Sequence, residues 1–180
     1  AIGELVQEHD VTMLLATPTF LQLYMRRCTP AQFGSLRLVM TGAEKLPEKL
    51  ADAFDAQFGI RPLEGYGATE CAPAIAVSAP DYRASGFYQP GSRRGSVGQA
   101  IPGMAVKLVD PETRMDLPMG VPGLLLVRGP SVMKGYLGRE DLTRSAFLDG
   151  WYVTGDIAAF DEDGFIRITD RMSRFSKIGG

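Results

Sequence analysis

Histidine is nearly missing from this chain. Among 180 residues only His9 carries an imidazole, so a Ser–His or Cys–His catalytic pair would have to use it. It sits between Glu8 and Asp10, where a solvated side chain is expected, and general-base hydrolase chemistry is poorly supported. Cysteine is almost as scarce. Cys28 and Cys71 have no metal-ligand spacing and are too few for a disulfide framework, which makes a reducing, cytoplasmic setting the expectation. Charge of one sign is also lacking: the net value is −2, so nothing electrostatic argues for nucleic acid or an anionic membrane surface. No apolar run approaches the roughly 18 residues that a membrane-spanning helix needs. Internal repeats and low-complexity tracts are missing too.

What is present is ordinary in bulk, with 45% hydrophobic and 22% charged residues, the balance of a globular protein. The length suffices for one domain or two small subdomains with a substantial core. The chain opens at Ala1 inside a helical pattern with no initiator Met, and it closes at Ile178-Gly179-Gly180 just after an apolar and basic segment. Those ends read as a piece of a longer protein.

The first third alternates helical and strand-like periods. A helix end is expected over residues 2–9 and a buried strand over 11–16. Thr17 is a candidate N-cap with Pro18 at the first helical position. A second strand is expected over 36–40, a helix over 47–58 stopped by Gly59, and a third strand over 60–64. That order implies a largely parallel sheet covered by helices. Residues 78–96 are rich in Ser, Gly, Pro and Arg and read as a long loop. Beyond them short strands are expected over 105–109, 124–127, 158–160 and 165–169, with a hairpin turn at Asp161-Glu162-Asp163-Gly164 and one helix over 139–147. The second half is thus expected to be a small antiparallel β subdomain, with a barrel as one form it could take.

Several residues could carry chemistry, each with a plainer role beside it. Tyr66 lies between Gly65 and Gly67, which allow a sharp turn or a close approach to a ligand; its ring could stack on a base if exposed, or simply pack. Thr69 and Glu70 offer a hydroxyl and a carboxylate, hard ligands suited to Mg²⁺ with ATP phosphates, or just the start of a helix. Gly42-Ala43-Glu44 follows a parallel strand, at the carboxyl edge where open α/β sheets bind ligands, or merely connects strand to helix. Asp156 after Thr154-Gly155 could accept hydrogen bonds from both hydroxyls of a ribose, or sit in a common turn. Arg171, which a hairpin could return to the same place, suits phosphate or ribose oxygens or plain solvent.

The order of these segments resembles the adenylate-forming superfamily: acyl-CoA synthetases, firefly luciferase and peptide-synthetase adenylation domains. The resemblance covers essentially the whole chain. It is carried by Ala16-Thr17-Pro18-Thr19, Thr41-Gly42-Ala43-Glu44-Lys45-Leu46, Gly65-Tyr66-Gly67-Ala68-Thr69-Glu70, the Val97 to Gly103 segment, Arg128-Gly129 with Gly135-Tyr136, Gly150 through Asp156, and 170–180. The ending over 174–180 is most similar to the acyl-acyl-carrier-protein synthetase part of bifunctional 2-acylglycerophosphoethanolamine acyltransferases.

The resemblance implies an α/β fold: part of the family's large domain, with a mostly parallel sheet over 1–94, a small antiparallel β subdomain over 95–170 and a hinge segment over 171–180. It implies ATP-dependent activation of a carboxylic acid, of the fatty class, to an acyl-adenylate, followed by transfer to the thiol of CoA or of a carrier protein's phosphopantetheine. By motif position Tyr66 stacks on adenine, with Gly42, Ala43 and Glu44 lining its pocket and Gly67 beside it. Thr69 contacts phosphate, Glu70 holds Mg²⁺, Asp156 and Arg171 hold the ribose, and Lys177 serves thioester formation. Two departures stand out. Ser173 occupies a hinge position that is usually Asp or Lys, and no Ser/Thr/Gly-rich phosphate loop ending in Lys is present. The fragment alone is therefore expected to fold without catalysing adenylation, and an exposed sheet edge could pair two copies as a homodimer. An acyl carrier protein is a candidate partner, nucleic acid is not, and membrane association of a longer parent stays open. A nucleotide-binding or interaction module without catalysis, and an amino-acid adenylation domain, are the alternatives.

Overall fold

The structure, a computed structural model, describes residues 2–172. Helix α1 (Ile2–Glu8) leads into strand β1 (Met13–Ala16), and α2 (Pro18–Arg27) follows at once. Pro18 stands at the first helical turn, where its missing N–H is no loss. Thr17 is the N-cap in extended conformation without a side-chain bond; its carbonyl accepts from the Leu21 N–H instead. Strand β2 (Leu38–Thr41), helix α3 (Glu48–Phe58) and strand β3 (Leu63–Gly67) complete the alternation. Gly59 ends α3 in the left-handed region at φ 71°, as the sequence anticipated.

β1, β2 and β3 are parallel, with Leu15 opposite Met40 and Met40 opposite Leu63. The third strand begins and ends later than the expected 60–64. Pro62 directly precedes it, and proline has no N–H to give to a ladder. Tyr66 consequently lies within a strand, paired with Ala76, and not in a turn. Its partner, β4 (Ala74–Val77), was not expected at all; it is antiparallel to β3.

The stretch 78–96, read as loop, holds a small hairpin of β5 (Tyr82–Ala84) and β6 (Phe87–Gln89). Tyr and Phe favour extended backbone, and Gly86 at φ 75° closes the turn. Strand β7 (Gln99–Ala100) then pairs with β4, giving a five-stranded sheet in the order β1-β2-β3-β4-β7. Its helical side buries Val6, Leu14, Leu21, Phe33, Val39 and Phe54. The rings of Phe54 and Phe58 lie 4.6 Å apart and those of Phe33 and Phe58 4.9 Å. Fully burying a side chain such as Phe54 is worth about 1.5–3 kcal/mol, and this aromatic group ties α3 to the 3-10 turn Pro30–Phe33.

A second sheet is built from β8 (Ala105–Val109), β9 (Gly123–Arg128), β10 (Phe147–Leu148), β11 (Trp151–Phe160) and β12 (Ile166–Arg171), with helix α4 (Glu140–Ala146) before β10. All its pairings are antiparallel. β9 is the centre, with Leu124 to Val127 fully buried. β11 starts well before the expected 158 because Trp151, Tyr152 and Val153 also favour strand; it pairs β9 on one side and β10 and β12 on the other. β8 and β12 lie at opposite edges, so among the described residues the sheet is open and not a barrel. The turn between β11 and β12 is where the sequence put it, with the Asp161 carboxylate accepting from the N–H groups of Asp163 and Phe165. Ile75 and Ala76 of β4 share one buried cluster with Leu125, Val127 and Ile166, so the two sheets meet along a common core.

Candidate functional site

Where the carboxyl ends of β2 and β3 approach β11 and β12 there is a cleft of about 380 Å³. That is within the roughly 300–1,000 Å³ typical of small-molecule sites. One wall comes from the first sheet: Ala43, Glu44 and Lys45 after β2, and residues 64–67 of β3. The other comes from Asp156 on β11 and residues 168–171 on β12. Among the residues expected at a site, the cleft gathers Ala43, Glu44, Tyr66, Gly67, Asp156 and Arg171; Gly42 adjoins it.

Local chemistry explains the placement. Ala43 adopts φ 66°, a left-handed conformation that non-glycine residues reach only at some cost. It turns the chain so that Glu44 meets α2, where the Thr19 hydroxyl donates to Glu44 Oε2 at 2.8 Å. Gly67 is required by proximity: a Cβ there would lie 1.8 Å from the Pro73 carbonyl oxygen. The Ala68 N–H donates to that same carbonyl at 2.9 Å, so β3 and the chain leading to β4 nearly touch behind Tyr66.

Asp156 is held with more contacts. The pairing of β11 with β9 shifts register between Val153 and Ile157, and Gly155 at φ 76° supplies the bulge. Thr154 pins it, donating its hydroxyl to the Leu125 carbonyl at 2.9 Å and accepting from the Asp156 N–H at 3.1 Å. The bulge delivers Asp156 to the cleft floor, where it is only 7% exposed. Its Oδ2 accepts from the Tyr66 hydroxyl at 2.5 Å, and its Oδ1 lies 2.9 Å from Arg171 Nε. Asp156 and Arg171 are cross-strand partners. Tyr66 is half-buried rather than exposed, because its ring packs on the core shared by the two sheets. Burial first, then the bond to Asp156, pushes its phenol far above the ordinary range, so it stays a hydrogen-bond donor.

Glu64 joins the cleft wall and was missed by sequence reasoning. Its Oε2 accepts from the Leu46 N–H at 3.2 Å, and burial raises its pKa while that bond lowers it in part. A signal existed: side chains two apart on a strand share a face, so Glu64 follows Tyr66.

Thr69 and Glu70 do not line this cleft; they lie on the short 3-10 turn after β3. Thr69 is exposed. The Tyr136 hydroxyl donates to Glu70 Oε1 at 2.7 Å, and the Met133 N–H donates to the Glu70 carbonyl at 2.7 Å. The Tyr136 bond holds the Glu70 carboxyl below its ordinary range, so it is anionic at neutral pH. Among the described residues no group of three or more His, Cys, Asp and Glu could hold a metal ion. A cation would find Glu70 as a single protein carboxylate, a donor set that fits Mg²⁺ only when phosphates and water complete the shell. Lys177 and Ser173 lie outside the described residues. Cys28 and Cys71 are free and buried, and burial pushes the Cys71 thiol up to about 11, which makes it unreactive.

Comparison with known proteins adds a family. The family model described as AMP-binding enzyme matches residues 1–137. The chain is 40% identical over 152 residues to a long-chain-fatty-acid–CoA ligase of Yersinia pestis, covering 84% of this chain and 25% of that protein. It is 33% identical over 184 aligned positions to 4-coumarate–CoA ligase 3 of Oryza sativa subsp. japonica, covering 100% of this chain and 32% of that one. The crystal structure of the anthranilate CoA ligase AuaEII in complex with anthranoyl-AMP matches with a TM-score of 0.84 at 26% identity, over 99% of this chain and 33% of that chain. The chain spans between 25% and 33% of the length of these relatives.

Proposed function

The chain belongs to the AMP-binding enzyme family, and on that footing we propose that it forms the nucleoside-binding part of an AMP-forming acyl-CoA ligase. The observation that carries this reading is the carboxylate of Asp156. An ionised carboxylate has about four acceptor sites over its two oxygens. Tyr66 uses one on Oδ2 and Arg171 one on Oδ1, which leaves a site on each oxygen. A vicinal diol supplies one O–H to each, and a nucleoside ribose is such a diol.

In this reading the purine lies over residues 42–44, against the Tyr66 ring, with Glu44 and Glu64 as acceptors along the rim. Arg171, 65% exposed, is free to turn its remaining N–H groups toward ribose or phosphate oxygens. Thr69 offers its hydroxyl to phosphate. Glu70 is the residue that would hold Mg²⁺, whose chemistry is to neutralise charge on the phosphates of ATP. The substrate carboxylate attacks the α-phosphorus; an O–P bond forms and pyrophosphate leaves, giving an acyl-adenylate. A thiolate then attacks the acyl carbonyl and AMP leaves. Neither step needs a protein nucleophile. Both need charge stabilisation, which agrees with a chain that has one histidine and buried, unreactive thiols. The resemblance to a long-chain-fatty-acid–CoA ligase favours a fatty acid as the carboxylic acid and CoA as the thiol.

The test is ATP–pyrophosphate exchange by the full-length protein over carboxylic acids of graded chain length, followed by acyl transfer to CoA or to a phosphopantetheinylated carrier protein. Exchange that depends on a fatty acid, with Glu70→Gln raising the Mg²⁺ requirement, is the expected result. A protein that binds ATP yet exchanges pyrophosphate with no carboxylic acid contradicts the reading.

A further inference from the structure

The hydroxyl of Tyr66 is placed to do something that its ring is not. The ring belongs to β3 of the first sheet, and the hydroxyl reaches across the cleft floor to β11 of the second, meeting a residue 90 positions away in sequence. We propose that Tyr66 is a positioning residue: its phenol sets the rotation of the Asp156 carboxylate and thereby makes the site selective for a nucleoside with both ribose hydroxyls. This rests on the reading of Asp156 as the diol acceptor.

The argument is geometric. A carboxylate turns about its Cβ–Cγ bond with little hindrance, since such terminal torsions are broad. To face a rigid diol with one free site on each oxygen, it must stop at one angle. Two donors stop it, one on each oxygen. Tyr66 Oη holds Oδ2 at 2.5 Å, and Arg171 Nε holds Oδ1 at 2.9 Å. The two anchors differ in rigidity. Arg171 lies on an edge strand and is 65% exposed, so its hold is shared with water. Tyr66 is fixed by Ala76 across β3–β4, by Gly67 behind it and by the core beneath its ring. Asp156 itself is fixed in position by the Thr154 bond to its N–H, which leaves carboxylate rotation as the freedom still to be removed. A phenol that stays protonated is a donor at every working pH, so the hold does not depend on titration.

The consequence is a ligand preference that stacking alone cannot produce. Removing the hydroxyl while keeping the ring lets the carboxylate turn, and a turned carboxylate meets one ribose hydroxyl about as well as two. The experiment is Tyr66→Phe in the full-length protein, with kcat/KM measured for ATP and for 2′-deoxy-ATP in pyrophosphate exchange, beside Asp156→Asn. A purely structural role would lower both rates together and leave their ratio intact. The expected result is that the preference for ATP over 2′-deoxy-ATP falls about tenfold in Tyr66→Phe, the scale of one hydrogen bond to a charged group, and falls in Asp156→Asn as well. If Asp156→Asn loses the preference and Tyr66→Phe keeps it, the positioning role is overturned and the diol assignment stands. If Asp156→Asn keeps it, both are overturned, whatever Tyr66→Phe does. Should Tyr66→Phe fold poorly, a fluorotyrosine incorporated at position 66 keeps ring and fold while changing the donor strength of the hydroxyl, and an unchanged ratio there overturns the proposal.

Discussion

Asp156 and Arg171 face one another across β11 and β12, with Arg171 Nε 2.9 Å from Asp156 Oδ1. The carboxylate is buried and the guanidinium is 65% exposed. That asymmetry decides what the pair does. An ion pair with one partner in water is worth at most about 1 kcal/mol to stability, so in the proposed reading its value lies in orienting the carboxylate and offering cation donors to a ligand. Arg171→Ala is expected to leave the unfolding midpoint nearly unchanged and to raise the KM for ATP. Thermal unfolding and steady-state kinetics of the same preparation check this. A large loss of stability with unchanged KM would mean that the pair is structural.

Gly67→Ala tests the close approach of β3 to Pro73. The added Cβ has no room beside the Pro73 carbonyl, so the strands must part or Tyr66 must move. Such overpacking costs about 1–3 kcal/mol. Urea unfolding is expected to show that loss, together with weaker nucleotide binding. A variant as stable as the native chain would show that this crossing is looser than described.

Glu64 gives the cleft a pH signature. Burial lifts its folded pKa above the ordinary 4.5, with the Leu46 N–H opposing in part. A raised carboxyl pKa means that the folded state binds its proton more tightly than the unfolded chain. The contribution is therefore fully favourable below the unfolded pKa and is lost as pH rises through the folded pKa. Glu64→Gln removes the ionisation and keeps an acceptor for Leu46. Its unfolding midpoint is expected to gain on the native protein as pH rises above the ordinary carboxyl range, with the difference closing toward the acid end. An offset independent of pH would contradict the assignment.

β1 is an edge of the first sheet, and it exposes Met13 at 49% and Leu15 at 69%. An unpaired edge with apolar side chains invites a second strand. The isolated chain is expected to self-associate on sedimentation, and Leu15→Lys to reduce that. A native chain that stays monomeric as concentration rises would remove this edge as a pairing surface.

Much of this arrangement was legible from local pattern. The βα alternation, the Gly59 stop and the turn at 161–164 are short-range features, and the turn alone brings Arg171 back opposite Asp156. Ala74–Val77 escaped notice because Ala-Ile-Ala-Val carries little strand signal without its neighbours, and the hairpin at 82–89 was masked by the Ser, Gly and Pro around it. The bond from Tyr66 to Asp156 was illegible for a different reason. It spans two sheets, and its existence depends on how they pack. Glu64 was passed over because a lone Glu before a glycine says nothing until the strand places it in the wall of a cleft.

The central claim is that the cleft between the two sheets binds an adenosine through Asp156. A crystal structure of the full-length protein with AMP tests it most directly. The account predicts both ribose hydroxyls within about 3.2 Å of the Asp156 carboxylate oxygens, with the purine against Tyr66 and residues 42–44. A nucleotide bound outside the cleft, or one whose ribose turns away from Asp156, would contradict it.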